Sequence, residues 1–558
     1  MESLSLFRNR RLGMVLTVLS LVVFTACGGD SNDDGLAAQQ VLRMSMGAEP
    51  GTIDPALASI GTEISIVRQL SSGLFTHDEN LNIVPALAKA MPTTENGGVS
   101  ADGKTYTIEL QESTWSDGSA LTANDFVYSM LRALDPEVAS PYAWAFYSIE
   151  GAAAYNNSLD VEEGTPAPPA SEIEDLRSKV GVKADGDYKI VYTLEAANPS
   201  FLNVLALFTA YPVKQSVVEQ YGDAWTEAGK HLGNGPFVLS NWQAGSKITM
   251  GRNDKWYGPV PTLTSIEVSF ITDDAVAYNA YVNGELDAVR ASTASLASGA
   301  NKDQLRVTPL LSTYALFMNN ASEVFDDAVV RQAFGAAIDR DAYVNGVLQG
   351  AGAPTTSWVP PGMPGYNDTL GSNLSYDPEG ARKLLDGSGW TEEEINFVMI
   401  ASDRNNLVGQ FLEQQLETNL GVEVTFEFFD QGEYFGALFS GAYDATIQNW
   451  FADWPSPDNF LSLFHTKGDA NFSAYSNPNY DKLLDDAGLA GDMETRLELY
   501  AQAQSLLLED AGLAPLYNDI NNTYVKPTVL DLIITGIDGA LKGDSFFWKT
   551  KIIVPKGN

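Results

Sequence analysis

The sequence predicts a mixed α/β protein of more than one domain, on three observations. Segments alternating apolar and polar residues, such as 105–110 (TYTIEL) and 189–194 (KIVYTL), read as strands with one buried face. Helical segments with clear start and stop residues are interleaved with them, which indicates α/β or α+β layers. The 558 residues exceed what a single core supports, so two or three domains are expected. With 44% apolar and 10% aromatic residues the chain has ample material for such cores.

The N-terminus carries Arg8, Arg10 and Arg11, then an apolar run over 12–26 broken by Gly13, Thr17, Ser20 and Thr25, then Cys27. That run is short of the ~20 residues needed to span a bilayer, so 1–26 reads as an export signal peptide. Phe24-Thr25-Ala26-Cys27 resembles a bacterial lipobox, which implies that Cys27 is acylated and becomes the mature N-terminus. Cys27 is the single cysteine of the chain and can form no intramolecular disulfide. The small, acidic stretch that follows buries too little apolar surface to order itself, and 27–40 reads as a lipid tether. Asp30, Asn32, Asp34 and Gly35 imitate the start of a calcium loop. The twelfth position is Val41, where a bidentate Glu is required, so no metal site is expected there.

Removal of 1–26 takes away three arginines and Glu2, leaving 30 basic and 71 acidic residues and a net charge of −41. Nucleic acid is therefore excluded as an expected partner. An acidic surface favours cationic ligands mildly, since exposed charges are screened within about 10 Å in salt. No second long apolar run and no internal repeat is visible, and 164–170 (GTPAPPA) reads as a surface loop.

Residues 115–136 (WSDGSALTANDFVYSMLRALDP) program a turn and then a capped helix. Thr122 stands at the N-cap, Asp125 at N3 of a capping box, and Leu121 and Phe126 at the two positions of a hydrophobic staple. Phe126, Val127, Met130, Leu131 and Leu134 share one apolar face. Val330, Phe334 and Ile338 lie four apart after Asp327, which predicts a second helix. Asp377 and Pro378 start a third, ended by Gly387, and 494–510 reads as a long helix ending near Gly512.

The order of residues in 115–136, a W-S-D-G turn and then a T-A-x-D-F helix, resembles the family 5 extracellular solute-binding proteins, the oligopeptide and dipeptide receptors of ABC importers. The likeness continues in order through 49–75, 233–258, 283–288 (NGELDA), 325–344 and 450–460 (WFADWPSPDNF). It implies a two-lobed periplasmic-binding-protein clamshell with a third, inserted domain. Lobe I would comprise 41–75, 206–289 and 517–558, the extra domain 76–205, and the second lobe, lobe III, 290–516. Segments crossing twice between the lobes would form a hinge, and a ligand touching both lobes would select the closed state.

The resemblance also implies a site. Asp453 matches the family position whose carboxylate holds a peptide α-ammonium, although an Asp ahead of Pro455 also suits a turn cap. Trp450 and Phe451 match positions lining the cleft, Tyr142 matches a cleft tyrosine, and Ser59, Ile60 and Gly61 match a loop offering backbone to the ligand. The arginines that meet the peptide carboxylate in oligopeptide receptors have no counterpart in 438–449, which contains neither Arg nor Lys. Arg290, Lys302, Arg340, Arg404 and Lys467 are the alternatives.

No nucleophile elbow, zinc-protease helix, P-loop or dinucleotide fingerprint occurs, and His77, His231 and His465 are too scattered to suggest a metal site. The expected function is a monomeric, non-enzymatic receptor without cofactor or metal. It would sit in the periplasm or at the cell surface, held to the membrane by lipid on Cys27, and pass short peptides to an ABC permease. The same fold binding nickel, heme, an opine, a murein peptide or a sugar is the first alternative, and a periplasmic hydrolase the second.

Overall fold

The computed structural model describes residues 35–161, 166–391, 395–468, 471–490, 492–541 and 543–554. The expected signal peptide and Cys27 lie outside them. The structure begins before the expected end of the tether. Leu36 bridges to Ile553, and the buried Gln40 side chain both donates to the Ile552 carbonyl (2.7 Å) and accepts its N–H (2.9 Å). The stretch 36–40 is therefore packed against the C-terminal strand, and its partners lie more than 500 residues away, beyond the reach of local composition.

One large mixed sheet runs through the molecule. Its central strands are Leu305–Met318 and Ala514–Val525, paired antiparallel from Leu305 opposite Tyr524 to Leu316 opposite Ala514. At one end Ala514–Val525 pairs with Ala288–Arg290, which continues through Val41–Met46 to Ser265–Phe270, Lys247–Arg252 and Phe237–Gln243. At the other end Leu305–Met318 pairs with Ala445–Phe451, followed by Ile395–Ile400 and Val424–Phe429. The two long strands thus belong to both halves. Their register shifts between Pro309 and Thr313, where proline withholds a ladder donor, so the crossing point is also the most irregular part of the pairing.

Three large apolar clusters flank this frame. One combines Leu42, Ile66, Phe237, Ile266 and Phe547; a second combines Phe75, Trp115, Phe126, Tyr192 and Phe201; a third combines Phe317, Phe334, Trp358, Leu412 and Leu507. The 115–136 segment builds the second. Trp115, Phe126, Met130 and Leu134 are buried, and Val127 and Leu131 pack partly against them. The helix Ala123–Ala133 starts as its sequence predicts, with the Thr122 N–H donating to Asp125 Oδ2 at 2.7 Å. From its last turn Arg132 reaches across to Asp54 in a two-pronged pair of 2.9 and 2.5 Å.

Asp327 caps Ala328–Ala336, and Met493–Glu509 forms the long helix. Helix Pro378–Ser388 overruns the expected stop at Gly387 by one residue. Gly389 takes the left-handed conformation (φ +79°) that ends it, whereas Gly387 stays helical with open space where a Cβ would stand.

Candidate functional site

The strand Ala445–Phe451 pairs along its whole length with Leu305–Met318, but on its other side only Ala445 pairs, with Phe397. From Thr446 to Phe451 its second edge carries no strand among the described residues, an open template for an added extended segment. The chain then leaves the sheet toward the other half of the molecule. Trp450 packs on its own cluster, Ala452 is buried there, and Trp454 inserts into the core built by 115–136.

Asp453 stands at this crossing, in a cavity of about 390 Å³. Ser59, Gly61, Ile64, Arg68 and Phe208 wall it from the first cluster's side, His77 and Tyr142 from the inserted side, and Phe451 and Ala452 from its own. The Tyr142 hydroxyl donates to Asp453 Oδ1 at 2.9 Å, joining residues 311 positions apart. Asn459 Nδ2 donates to Oδ2 at 3.4 Å, while Asn459 Oδ1 accepts the Asp453 N–H (3.0 Å) and the Trp450 indole N–H (2.9 Å). Asp453 has no salt-bridge partner among the described residues. Burial raises its pKa to about 6, against the pull of its bonds from Tyr142 and Asn459. Burial likewise drives the Tyr142 hydroxyl upward, and the Asp453 charge adds to that, so the tyrosine is a fixed proton donor. His77 is pushed down to about 4 by burial and is neutral at physiological pH.

The structure therefore gathers Asp453, Phe451, Tyr142, Ser59 and Gly61 around one cavity. Trp450 and Ile60 do not line it. Trp450 sits one residue out of phase with Phe451 on a strand, so its ring faces the opposite side, where Asn459 holds it. The Ile60 side chain is exposed at 54%, and the N–H groups of Ser59 and Ile60 are already taken by Glu63 Oε2 at 2.8 and 3.3 Å. This loop can offer a ligand carbonyls but not those two donors. Asn459, which aims both Asp453 and Trp450, was invisible in the sequence beyond being the third polar residue of a P-S-P-D-N turn.

The five alternative cations separate clearly. Arg340 is buried and donates to the carbonyls of Thr355, Pro515, Gly335 and Ile338, which is a structural task. Arg290, Lys302 and Lys467 are exposed and line none of the cavities described. Arg404 donates to the Tyr517 hydroxyl at 2.9 Å and lies 5.9 Å from the Tyr314 ring centre, in a smaller cavity of about 160 Å³ shared with Gln448 and Asn449. It thus borders the same strand that leads to Asp453.

A sheet spanning two lobes, with a cavity walled by both and by an inserted domain, defines a two-lobed solute-binding protein. Residues 82–472 match the bacterial extracellular solute-binding proteins, family 5 middle, and the chain belongs to that family. The periplasmic oligopeptide-binding protein OppA of Salmonella typhimurium is 31% identical, over 88% of this chain and 90% of its own. The probable deoxycholate-binding periplasmic protein YgiS of Escherichia coli is 30% identical over 93% of this chain and 96% of its own. Among solved structures, Haemophilus influenzae OppA in complex with RPPGFSPFR superposes with a TM-score of 0.71 at 25% identity, covering 93% of this chain and 100% of that one.

Proposed function

We propose that the protein is an extracytoplasmic receptor that captures a short, extended peptide between its lobes and hands it to an ABC permease, acting as a monomer anchored through lipid on Cys27. The observation that carries the reading is the Asp453 carboxylate, desolvated by burial and without a salt-bridge partner among the described residues. A peptide α-ammonium supplies the missing charge, and leaving either charge alone in the closed cleft costs roughly 3 to 5 kcal/mol. The peptide backbone adds along the open edge of Ala445–Phe451, and Phe451 and the Ser59 to Gly61 loop flank its first residue.

Arg404 takes the carboxylate end. Asn449, its neighbour, lies four residues before Asp453, or ~13 Å along an extended chain. An extended peptide of roughly four residues spans that distance. The match to oligopeptide receptors over nearly the whole chain supports this reading.

Calorimetry tests it: N-acetylated tripeptides should bind at least about tenfold more weakly than free ones, and Asp453→Asn should erase the difference. Equal affinities in the wild type refute the ammonium assignment. Mass spectrometry of ligand released from unfolded protein separates a peptide from any other solute.

A further inference from the structure

A second opening adjoins the Asp453 cavity. It measures about 320 Å³ and shares Arg68, His77, Ala206 and Ile537 with it as a common wall. None of its lining residues falls in 290–516, so the chamber is formed entirely on one side of the cleft and does not depend on closure of the half that carries Asp453. Its walls are rich in aromatic side chains: Trp256, Tyr257, Phe546 and Trp548. Trp256 stands 5.6 Å from Trp548 and 5.5 Å from Tyr257, ring centre to ring centre. Gly258 fixes the Trp256 indole over the backbone, since a Cβ there would come within 2.6 Å of the ring. The Trp256 indole N–H is buried without a hydrogen-bond partner among the described residues.

We infer that this chamber receives the side chain of the ligand's first residue and selects an aromatic one. The inference rests on the peptide reading, which puts the α-ammonium at Asp453 and so begins the first side chain inside the adjoining cavity. An apolar cavity of about 150 Å³ holds benzene, so this chamber has room for an indole or a phenol. Its rings offer edge and face contacts to an incoming ring, and the free Trp256 N–H offers a donor to a tyrosine hydroxyl. Its charges are of both signs and largely paired: Arg68 and Lys549 line it beside Asp78, Arg68 pairs with Asp544 at 3.4 Å and Lys549 with Glu79 at 3.5 Å, and Lys549 lies 5.2 Å from the Trp548 ring centre and 5.0 Å from that of Phe546. The chamber is thus distinguished by its rings and not by a net charge.

The test is a calorimetric series of Ala-Ala-Ala, Phe-Ala-Ala, Ala-Phe-Ala, Ala-Ala-Phe and Lys-Ala-Ala. Phe-Ala-Ala should bind about tenfold to a hundredfold more tightly than Ala-Ala-Ala, the range expected for burying one large apolar side chain. Phe at the second or third position should gain less, and Lys-Ala-Ala, which has no ring to stack, should bind more weakly than Phe-Ala-Ala. Ala86→Trp, which fills the chamber from a partly exposed position, should bring Phe-Ala-Ala to the affinity of Ala-Ala-Ala while leaving the latter unchanged. Trp548→Ala, which removes a wall instead, should also lower the Phe preference. A gain independent of position, or one that survives both variants, overturns the inference. If Ala-Ala-Ala binds and loses affinity on acetylation but Phe-Ala-Ala is no better, the chamber fails and the peptide reading stands. If no peptide in the series binds, or acetylation changes nothing, both fail.

Discussion

Peptide affinity should fall on acidification through pH 6, and the size of the fall follows from Asp453. Its carboxyl is pushed up to about 6 from near 3.8 because burial removes water from around it. The difference corresponds to about 3 kcal/mol disfavouring the bare anion in the unliganded protein. The sign is that of a raised acid. Between about pH 4 and 6 the folded chain holds a proton that the unfolded chain has lost, so unliganded stability declines as pH rises through that window. Binding of an ammonium has the opposite dependence, since it requires the ionised form. With a pKa of about 6, about one Asp453 in ten is ionised at pH 5 and about nine in ten at pH 7, so Kd should weaken about tenfold between them. The neighbours do not confuse the measurement. His77 titrates near 4, Tyr142 far above the range, and the peptide amino group near 8, which adds only an alkaline limb. Calorimetry of one tripeptide at pH 5, 6 and 7 gives the slope, and Asp453→Asn should be weak and flat. A wild-type affinity constant within about twofold over that interval, or a slope retained in Asp453→Asn, refutes the reasoning.

Three further outcomes follow from the same geometry. Tyr142→Phe removes one of the two side-chain donors to Asp453, so the acid limb should move up by about one pH unit and affinity should drop about tenfold, read in the same titration. Arg404→Gln should make free and C-terminally amidated tetrapeptides bind alike, whereas the wild type should prefer the free form about tenfold; no preference in the wild type removes Arg404 from the site. Asp54→Ala strands the Arg132 guanidinium between the inserted helix and the first lobe, and should lower stability by about 3 to 5 kcal/mol in denaturant unfolding, with an unchanged midpoint showing the pair to be dispensable.

Local chemistry was legible in the sequence where its partners were local. Thr122 with Asp125 and Asp377 cap helices where the sequence predicts, and Asp327 caps the helix expected after it, because a cap is satisfied within three residues of chain. The choice between Gly387 and Gly389 was not legible, since either glycine could take the left-handed turn and packing over the last turn decides. The ordering of 36–40 was not legible either, because Gln40 is held by Ile552. In the site, the resemblance marked a segment and left open which faces its side chains take. Period-two alternation sorts them: Asn449 and Phe451 share one face of the strand, and Trp450 takes the other.

The Tyr142 to Asp453 hydrogen bond ties these levels together. It joins residues 311 positions apart whose segments pack on different apolar clusters, and the long strands shared by both halves of the sheet are irregularly paired. In the unliganded chain this bond and the inserted Trp454 ring oppose opening, while the bare carboxylate at Asp453 favours it. On the proposed reading an ammonium removes the second term and leaves the first, so the ligand would stabilise closure by relieving a charge instead of by pulling two surfaces together. Acid would do the same through a proton, so one residue should set both the pH slope of binding and the discrimination against acetylated peptides.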